Sequence, residues 1–370
     1  MRTAPRRACI QCVPVSGMRI AALTKYDREA ASTRQRILQY TPSLAERGIE
    51  LRHYPLLDDA YVRSLATGEK WSRTALLRSY AGRLTKLMKG LTCDLIWVHL
   101  ELFPYLPAAF EKLVFRSGVP VVYDCDDALF LRYNNSRNPA VRALLSGKIE
   151  QLMSKAAAVT CGNSFLQDYA AAFCPNARLF PTVLDTNIYK PTAPDFSEAA
   201  VIGWIGSPST WENVQPLLPV LQRLCAERGL TFRAVGAGHK AEADRFDGMQ
   251  LVPWREETEV AEVQGFDIGI MPLIDHPWQR GKSGYKLIQY MACGIPAVGS
   301  PVGANSSILV EDCGILASSA EQWRAALLRL LAEADLRRDM GEAGRKRAVE
   351  HYSLSAYAQP LSELFLSVAR

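Results

Sequence analysis

The sequence predicts an α/β protein built as two doubly wound halves facing a cleft, and three observations carry that expectation. Short apolar runs alternate with longer amphipathic stretches, the pattern of parallel strands wrapped by helices. The alternation comes in two series, divided by the proline-rich polar stretch NIYKPTAPDFSEAA. The chain has 370 residues, 48% apolar and 22% charged, enough for two cores of ordinary soluble composition.

Each element can be justified in turn. Residues 1–17 include the ragged opening MRTAPRRACIQC and read as a disordered extension. Its Cys9 and Cys12 form a CxxC without the second half that a zinc site needs. The N-terminal half, 18–195, takes its strands from MRIAAL, IELRHYPL, LIWVHL, VPVVYD and AAVTCG. The second half, 196–350, takes its own from AVIGWIG, LTFRAVG, MQLVPW, FDIGIMPL, IPAVGS and GILA. The closing stretch, 351–370, is helical in pattern and is expected to pack across the domain boundary.

Bulk properties narrow the function classes. A net charge of +5 is too mild and dispersed to argue for nucleic acid, though it permits anionic substrates or lipid surfaces. Nine scattered cysteines argue against a complete disulfide framework. No apolar run approaches the ~20 residues of a membrane span, and residues 1–17 lack an apolar signal-peptide core. A cytoplasmic enzyme is the expectation, with contact at the inner face of the membrane raised by one segment. In WSRTALLRSYAGRLTKLMKG, Leu76, Leu77, Tyr80, Leu84, Leu87 and Met88 form an apolar stripe opposite Arg78, Arg83, Lys86 and Lys89. Such a helix either places its stripe in the core or rests its basic face on anionic lipid.

Open parallel sheets bind ligands outside the carboxyl ends of their strands, so the loops there hold the candidate site. In GKSGYKLIQYMACGIPAVGSPVG, Ser283 and Gly284 precede a helix-like run from Tyr285 to Ala292, and Gly294 stops it. A helix start offers free N–H groups and about half a positive charge to an anion. Arg280, Lys282 and Lys286 are expected around that end, with Lys282 and Lys286 on one face if the helix begins early enough. The pattern suits a diphosphate; the alternative is a solvated basic loop before a core helix. A second loop, Gly206-Ser207-Pro208-Ser209-Thr210, has the small residues and hydroxyls that let a phosphate approach. It matches neither GxGxxG nor GxxxxGK[ST], which weighs against a dehydrogenase and an NTPase.

The N-terminal half supplies carboxylates. Asp124, Asp126 and Asp127 end the strand VPVVYD, where three like charges repel unless sugar hydroxyls, a cation or arginines use them. The alternative is an acidic turn capping the next helix. In the first loop, Ala30, Ala31 and Ser32 let the chain lie close to a ligand, with Arg34 and Arg36 facing either phosphate or solvent. His99 and Glu101 end another strand, where they are either packed or functional.

These segments together, with CGNSFLQDYA and PTVLDTNIY, resemble the GT-B glycosyltransferases, and within them the large retaining family 4, often labelled group 1. The resemblance covers Met18 to the C-terminus. It implies two Rossmann-like domains and a last helix that crosses back to the first. It also implies a nucleotide-diphosphate sugar as donor and no metal or other cofactor. A glycan or lipid-linked acceptor is implied, in the synthesis of cell-surface polysaccharide or glycoconjugate. Donor binding would fall to Gly206, Ser207, Ser209, Arg280, Lys282, Ser283, Gly284 and Gln289, with Asp126, Asp127 and Lys286 in catalysis. Ala31, Ser32, Arg34 and Glu101 would lie on the acceptor side. In such retaining enzymes the leaving phosphate is thought to receive the acceptor proton, so positioning and charge stabilisation dominate. The family's paired glutamates correspond here to Gly281 and Gln289, and its lysine after the GSPST loop is absent. Asp126 stands roughly where many relatives carry a histidine. Two rival functions fit the same architecture: a sugar-nucleotide epimerase, and a nucleotide-sugar-binding relative with little turnover.

Overall fold

The computed structural model describes residues 17–67, 69, 71–192 and 200–369. The expected extension (save Gly17), its CxxC and the 195/196 boundary lie outside the described residues. Two six-stranded, wholly parallel sheets form the two lobes.

The first sheet contains β1 (Met18–Tyr26), β2 (Ile49–Leu57), β3 (Leu95–His99), β4 (Val121–Cys125), β5 (Ala158–Cys161) and β6 (Ala177–Leu179). They lie in the order β2-β1-β3-β4-β5-β6, in register from Ile20↔Leu95 to Thr24↔His99 across β1 and β3. The second contains β7 (Val201–Ile205), β8 (Thr231–Val235), β9 (Met249–Val252), β10 (Ile268–Met271), β11 (Ala297–Gly299) and β12 (Ile315–Leu316). Their order is β12-β11-β10-β7-β8-β9, the arrangement of a dinucleotide-binding sheet. Strands covered by helices on both faces must be apolar on both, which is why β3, β4, β7 and β10 read as continuous buried runs. Only β6 escaped the sequence pattern. It is three residues long and half exposed.

The strand order reverses between β1 and β3 in one lobe and between β7 and β10 in the other. A crevice opens at each reversal, because the two crossover connections leave in opposite directions. The last helix, Leu354–Val368, returns to the first lobe and buries Leu361, Leu364 and Phe365 among Ile20, Trp97 and Val122. Phe365 meets the Trp97 ring edge-on at 5.0 Å. The chain therefore passes between the lobes twice, near Leu184 and near Ser353. The two passages hydrogen-bond to each other, Leu184 N to Tyr352 O at 3.1 Å and Leu354 N to Leu184 O at 2.8 Å.

The helix Arg73–Gly90 corrects the sequence expectation. Arg83 is fully buried and donates to the carbonyls of Tyr54 and Thr24, while Lys86 reaches the Pro55 carbonyl. These two cations satisfy carbonyls at the ends of β1 and β2 instead of facing solvent. The apolar residues turn outward in exchange: Leu77 is 71% exposed, Leu84 57% and Met88 64%. Of the expected stripe, Leu87 is in the core and Tyr80 packs against it.

Candidate functional site

On the second lobe the site forms around the β7/β10 reversal. The helix Tyr285–Ala292 starts where the sequence places it, after Gly284 at φ 69, a left-handed conformation that glycine adopts without strain. A side chain there would also meet Ile308 Cδ1 at 2.2 Å. Lys286 lies along Gly206: a Cβ on that glycine would sit 2.8 Å from Lys286 Cε. The Lys286 ammonium is 5.4 Å above the Trp204 ring, and no acid pairs with it among the described residues. Burial, with the charge of Lys282, pushes this ammonium down to about 8. Ser207 and Ser209 are exposed beside it, their hydroxyls 2.9 Å apart, and Ser283 is half-buried. Gly206, with Ser207 next to it in the chain, and Lys286 thus lie together just past the end of β7.

On the first lobe the carboxyl ends of β3 and β4 present His99 and Asp126. His99 Nε2 is 3.4 Å from Asp126 Oδ2 without hydrogen-bond geometry, and Asp126 Oδ1 is buried with no partner. Burial pushes the Asp126 carboxyl up, but His99, Arg36 and Lys282 outweigh it and hold the group below the usual range. Asp127 pairs across the cleft with Lys282 at 2.7 Å. Burial, only partly offset by Lys282 and reinforced by Asp126, holds Asp127 above the usual range.

Further contacts close the cleft. Asn163 caps its own helix through Oδ1 and donates from Nδ2 to the carbonyls of Arg280 (3.1 Å) and Lys282 (2.9 Å). Gly281 abuts Ala128, whose N and Cβ would lie 2.9 and 2.8 Å from any Cβ at that position. At another point Arg28 pairs with Glu256 at 2.8 Å, and Arg34 lies 4.9 Å over the Trp254 ring.

With this geometry in view, similarity to known proteins is informative. Residues 199–333 match the family described as Glycosyl transferases group 1. The second lobe is a group 1 glycosyl transferase domain. The whole chain superposes on solved structures of low identity, and it has the GT-B fold. Sucrose-phosphate synthase from Thermosynechococcus elongatus aligns with TM-score 0.69 and 14% identity, over 95% of this chain and 99% of that one. HepE of Anabaena, in complex with UDP and glucose, aligns with 0.69 and 14%, over 95% and 100%. WaaG, a glycosyltransferase involved in lipopolysaccharide biosynthesis, aligns with 0.67 and 14%, over 94% and 99%. No curated protein sequence matches the chain.

Several residues of the glycosyl transferase domain and its partner lobe stand differently from their sequence expectation. Lys282 precedes the helix instead of sharing a face with Lys286, because the helix begins only at Tyr285. Its charge goes to Asp127. Arg280 is exposed and held by Asp275 at 2.8 and 3.1 Å, on the short helix Pro277–Arg280. Glu101 is sealed in a pair with Lys148 at 3.2 Å and accepts from Tyr133, so it holds the loop and faces no acceptor. Arg36 is buried in a bidentate pair with Asp124, which also accepts from Thr160 at 2.6 Å; both are structural. Arg34 faces the opposite lobe. Ala31 and Ser32 begin the short helix Ala31–Arg36 behind it.

Gln289 is buried and donates to Glu259 at 2.7 Å. Glu259 also accepts from Tyr189 and, at 2.6 Å, from Trp254 Nε1. A carboxylate therefore stands beside the amide at 289, supplied by the helix Glu259–Gln264. The stretch WREETEVAEV concealed it among solvated acids. Its signal was the spacing of Glu259 and Val263, one helical turn apart and both buried.

Proposed function

We propose that the protein transfers a sugar from a nucleoside-diphosphate sugar to a glycan or lipid-linked acceptor, with retention of anomeric configuration. The observation that carries this reading is the Lys286 ammonium, without an acidic partner, beside Gly206 at the strand-order reversal of a glycosyl transferase domain. Lys286, the hydroxyls of Ser207 and Ser209 and the free N–H groups after Gly284 bind the diphosphate. As the anomeric C–O bond breaks, the electron pair stays on the phosphate oxygen, where Lys286 stabilises it. The acceptor hydroxyl attacks from the same face and gives its proton to that oxygen. Asp126 accepts a hydrogen bond from a sugar hydroxyl and fixes the ring against the acceptor.

HepE of Anabaena was solved with UDP, UDP-glucose and glucose, which makes UDP the first nucleotide to test. Ligand that binds only the folded state raises stability by about 2.7 kcal/mol at a hundred times its Kd. The test is a thermal-shift screen of nucleoside diphosphates, followed by transfer assays with the sugar nucleotide of the base that binds. No shift with any nucleoside diphosphate would reject the reading. Conversion of the sugar nucleotide without any acceptor would mark an epimerase instead.

The acceptor is membrane-associated in this reading, in the synthesis of cell-surface polysaccharide or glycoconjugate, with the enzyme on the inner face of the membrane. Support comes from the exposed Leu77, Leu84 and Met88, flanked by exposed Arg78 and Lys89, with no acid between Glu69 and Asp94. No described helix is long and apolar enough to cross a membrane.

A further inference from the structure

Lys25 is the penultimate residue of β1, at the strand-order reversal of the first lobe, and it is only 7% exposed. Its ammonium sits 5.1 Å over the Tyr26 ring and makes no hydrogen bond or ion pair among the described residues. The acids that could neutralise it are committed elsewhere, Glu101 to Lys148 and Asp127 to Lys282. Arg132, on the helix Leu129–Asn134, is half-buried and has no acid within ion-pair distance among the described residues. Its guanidinium lies 5.4 Å over the Trp278 ring of the opposite lobe. Lys25 near the carboxyl end of β1 and Arg132 on the helix that follows β4 stand at the same end of the first sheet, two strands apart. Burial, with the charge of Arg132 second, pushes the Lys25 ammonium down to about 8. Aromatic pairs flank both residues, through Tyr26 beside Lys25 and Tyr133 beside Arg132. Tyr26 stacks on Tyr61 at 6.1 Å, and Tyr105 is exposed at φ 59, edge-on to Tyr133 at 5.7 Å.

We propose that Lys25 and Arg132 hold an anionic group of the acceptor, a phosphate or carboxylate on a sugar whose ring lies against Tyr26. The proposal rests on the glycosyl-transfer reading, because it assigns the first lobe's crevice to the acceptor. A buried cation without a partner is unfavourable, and an anion between two such cations converts that cost into charge-assisted hydrogen bonds. The donor diphosphate has its own cation, Lys286, on the other lobe. Neither Lys25 nor Arg132 is needed for it.

Titration calorimetry at low salt tests the site with two anions, glucose 1-phosphate and glucuronate, and with neutral methyl glucoside as control. The proteins are the parent, Lys25→Gln, Arg132→Gln and Lys286→Ala. At least one anion should bind the parent, at least about tenfold more weakly to the first two variants, as expected for one lost charge-assisted bond. Lys286→Ala should bind it like the parent, and methyl glucoside should not bind. Which anion binds separates a phosphate monoester from a carboxylate as its source. Removing an unpaired charge should leave the melting temperature of Lys25→Gln at or above the parent's. Absence of binding by both anions, equal binding by all four proteins, or loss centred on Lys286→Ala would overturn the proposal. UDP binding is measured separately, so a failed donor reading is seen as loss of UDP affinity in the parent, whatever the anions do.

Discussion

Lys286 is charged below about pH 8, whereas an ordinary lysine stays charged to about 10.5, and the two trends that follow oppose each other. Diphosphate binding needs the charged form, so affinity for UDP should fall as pH rises through and above 8, the bound anion moving the fall upward. Folding stability runs the other way: between 8 and 10.5 the folded chain holds fewer protons than the unfolded one, so this residue's contribution improves with pH. Lys286→Ala should cost about 2–4 kcal/mol of transition-state stabilisation, or about 30- to 1000-fold in rate, and should flatten the pH profile of UDP binding. Rate assays and calorimetry from pH 7 to 9.5 check both. Asp126→Asn removes one charged hydrogen bond on the opposite lobe and should lower transfer by about 1.5–3 kcal/mol, roughly 10- to 150-fold. UDP affinity should be spared, because Lys286 and Gly206 lie on the other lobe. The sequence exposed Lys286 and Asp126 because a charge beside glycines, or beside other acids, stands out from an apolar strand. It hid Lys25, which lies just past the apolar run MRIAAL, because only the fold shows which acids are already paired.

At the scale of elements, the strands were legible because each buried strand is a short apolar run, and the helix Tyr285–Ala292 because glycines bracket it. The helix Arg73–Gly90 was legible as a helix but not in its orientation. Its composition allows either face to be inward, and Arg83 decides the matter by meeting two carbonyls at the strand ends. A triple change of Leu77, Leu84 and Met88 to serine should therefore leave thermal stability nearly unchanged, since these side chains are exposed in the folded protein. Co-sedimentation with anionic vesicles should be lost. Changing Arg78 and Lys89 together to alanine should weaken vesicle binding about 30-fold at low salt, at about 1 kcal/mol per cation, and the difference should vanish at high salt. Equal sedimentation of parent and triple variant would reject the membrane face without touching the donor site.

For the whole molecule, the last helix makes the first lobe depend on the end of the chain. Phe365→Ala should destabilise by about 3–5 kcal/mol, because it empties the space against Trp97 at the centre of the first lobe's core. Chemical denaturation should show the loss mainly in the first lobe's transition, with UDP binding to the second lobe retained below it. The paired passages at Leu184 and Ser353 set how the lobes can move. Two strands tied side by side leave one soft axis, since sliding or twisting would break the hydrogen bonds between them. Opening the cleft is then a swing about a single line, and each point of the site retraces its own arc on closing. What holds the two sides of the cleft at one separation is therefore the chain's connectivity together with the contacts between the lobes, Asn163 with the carbonyls of Arg280 and Lys282 and Asp127 with Lys282.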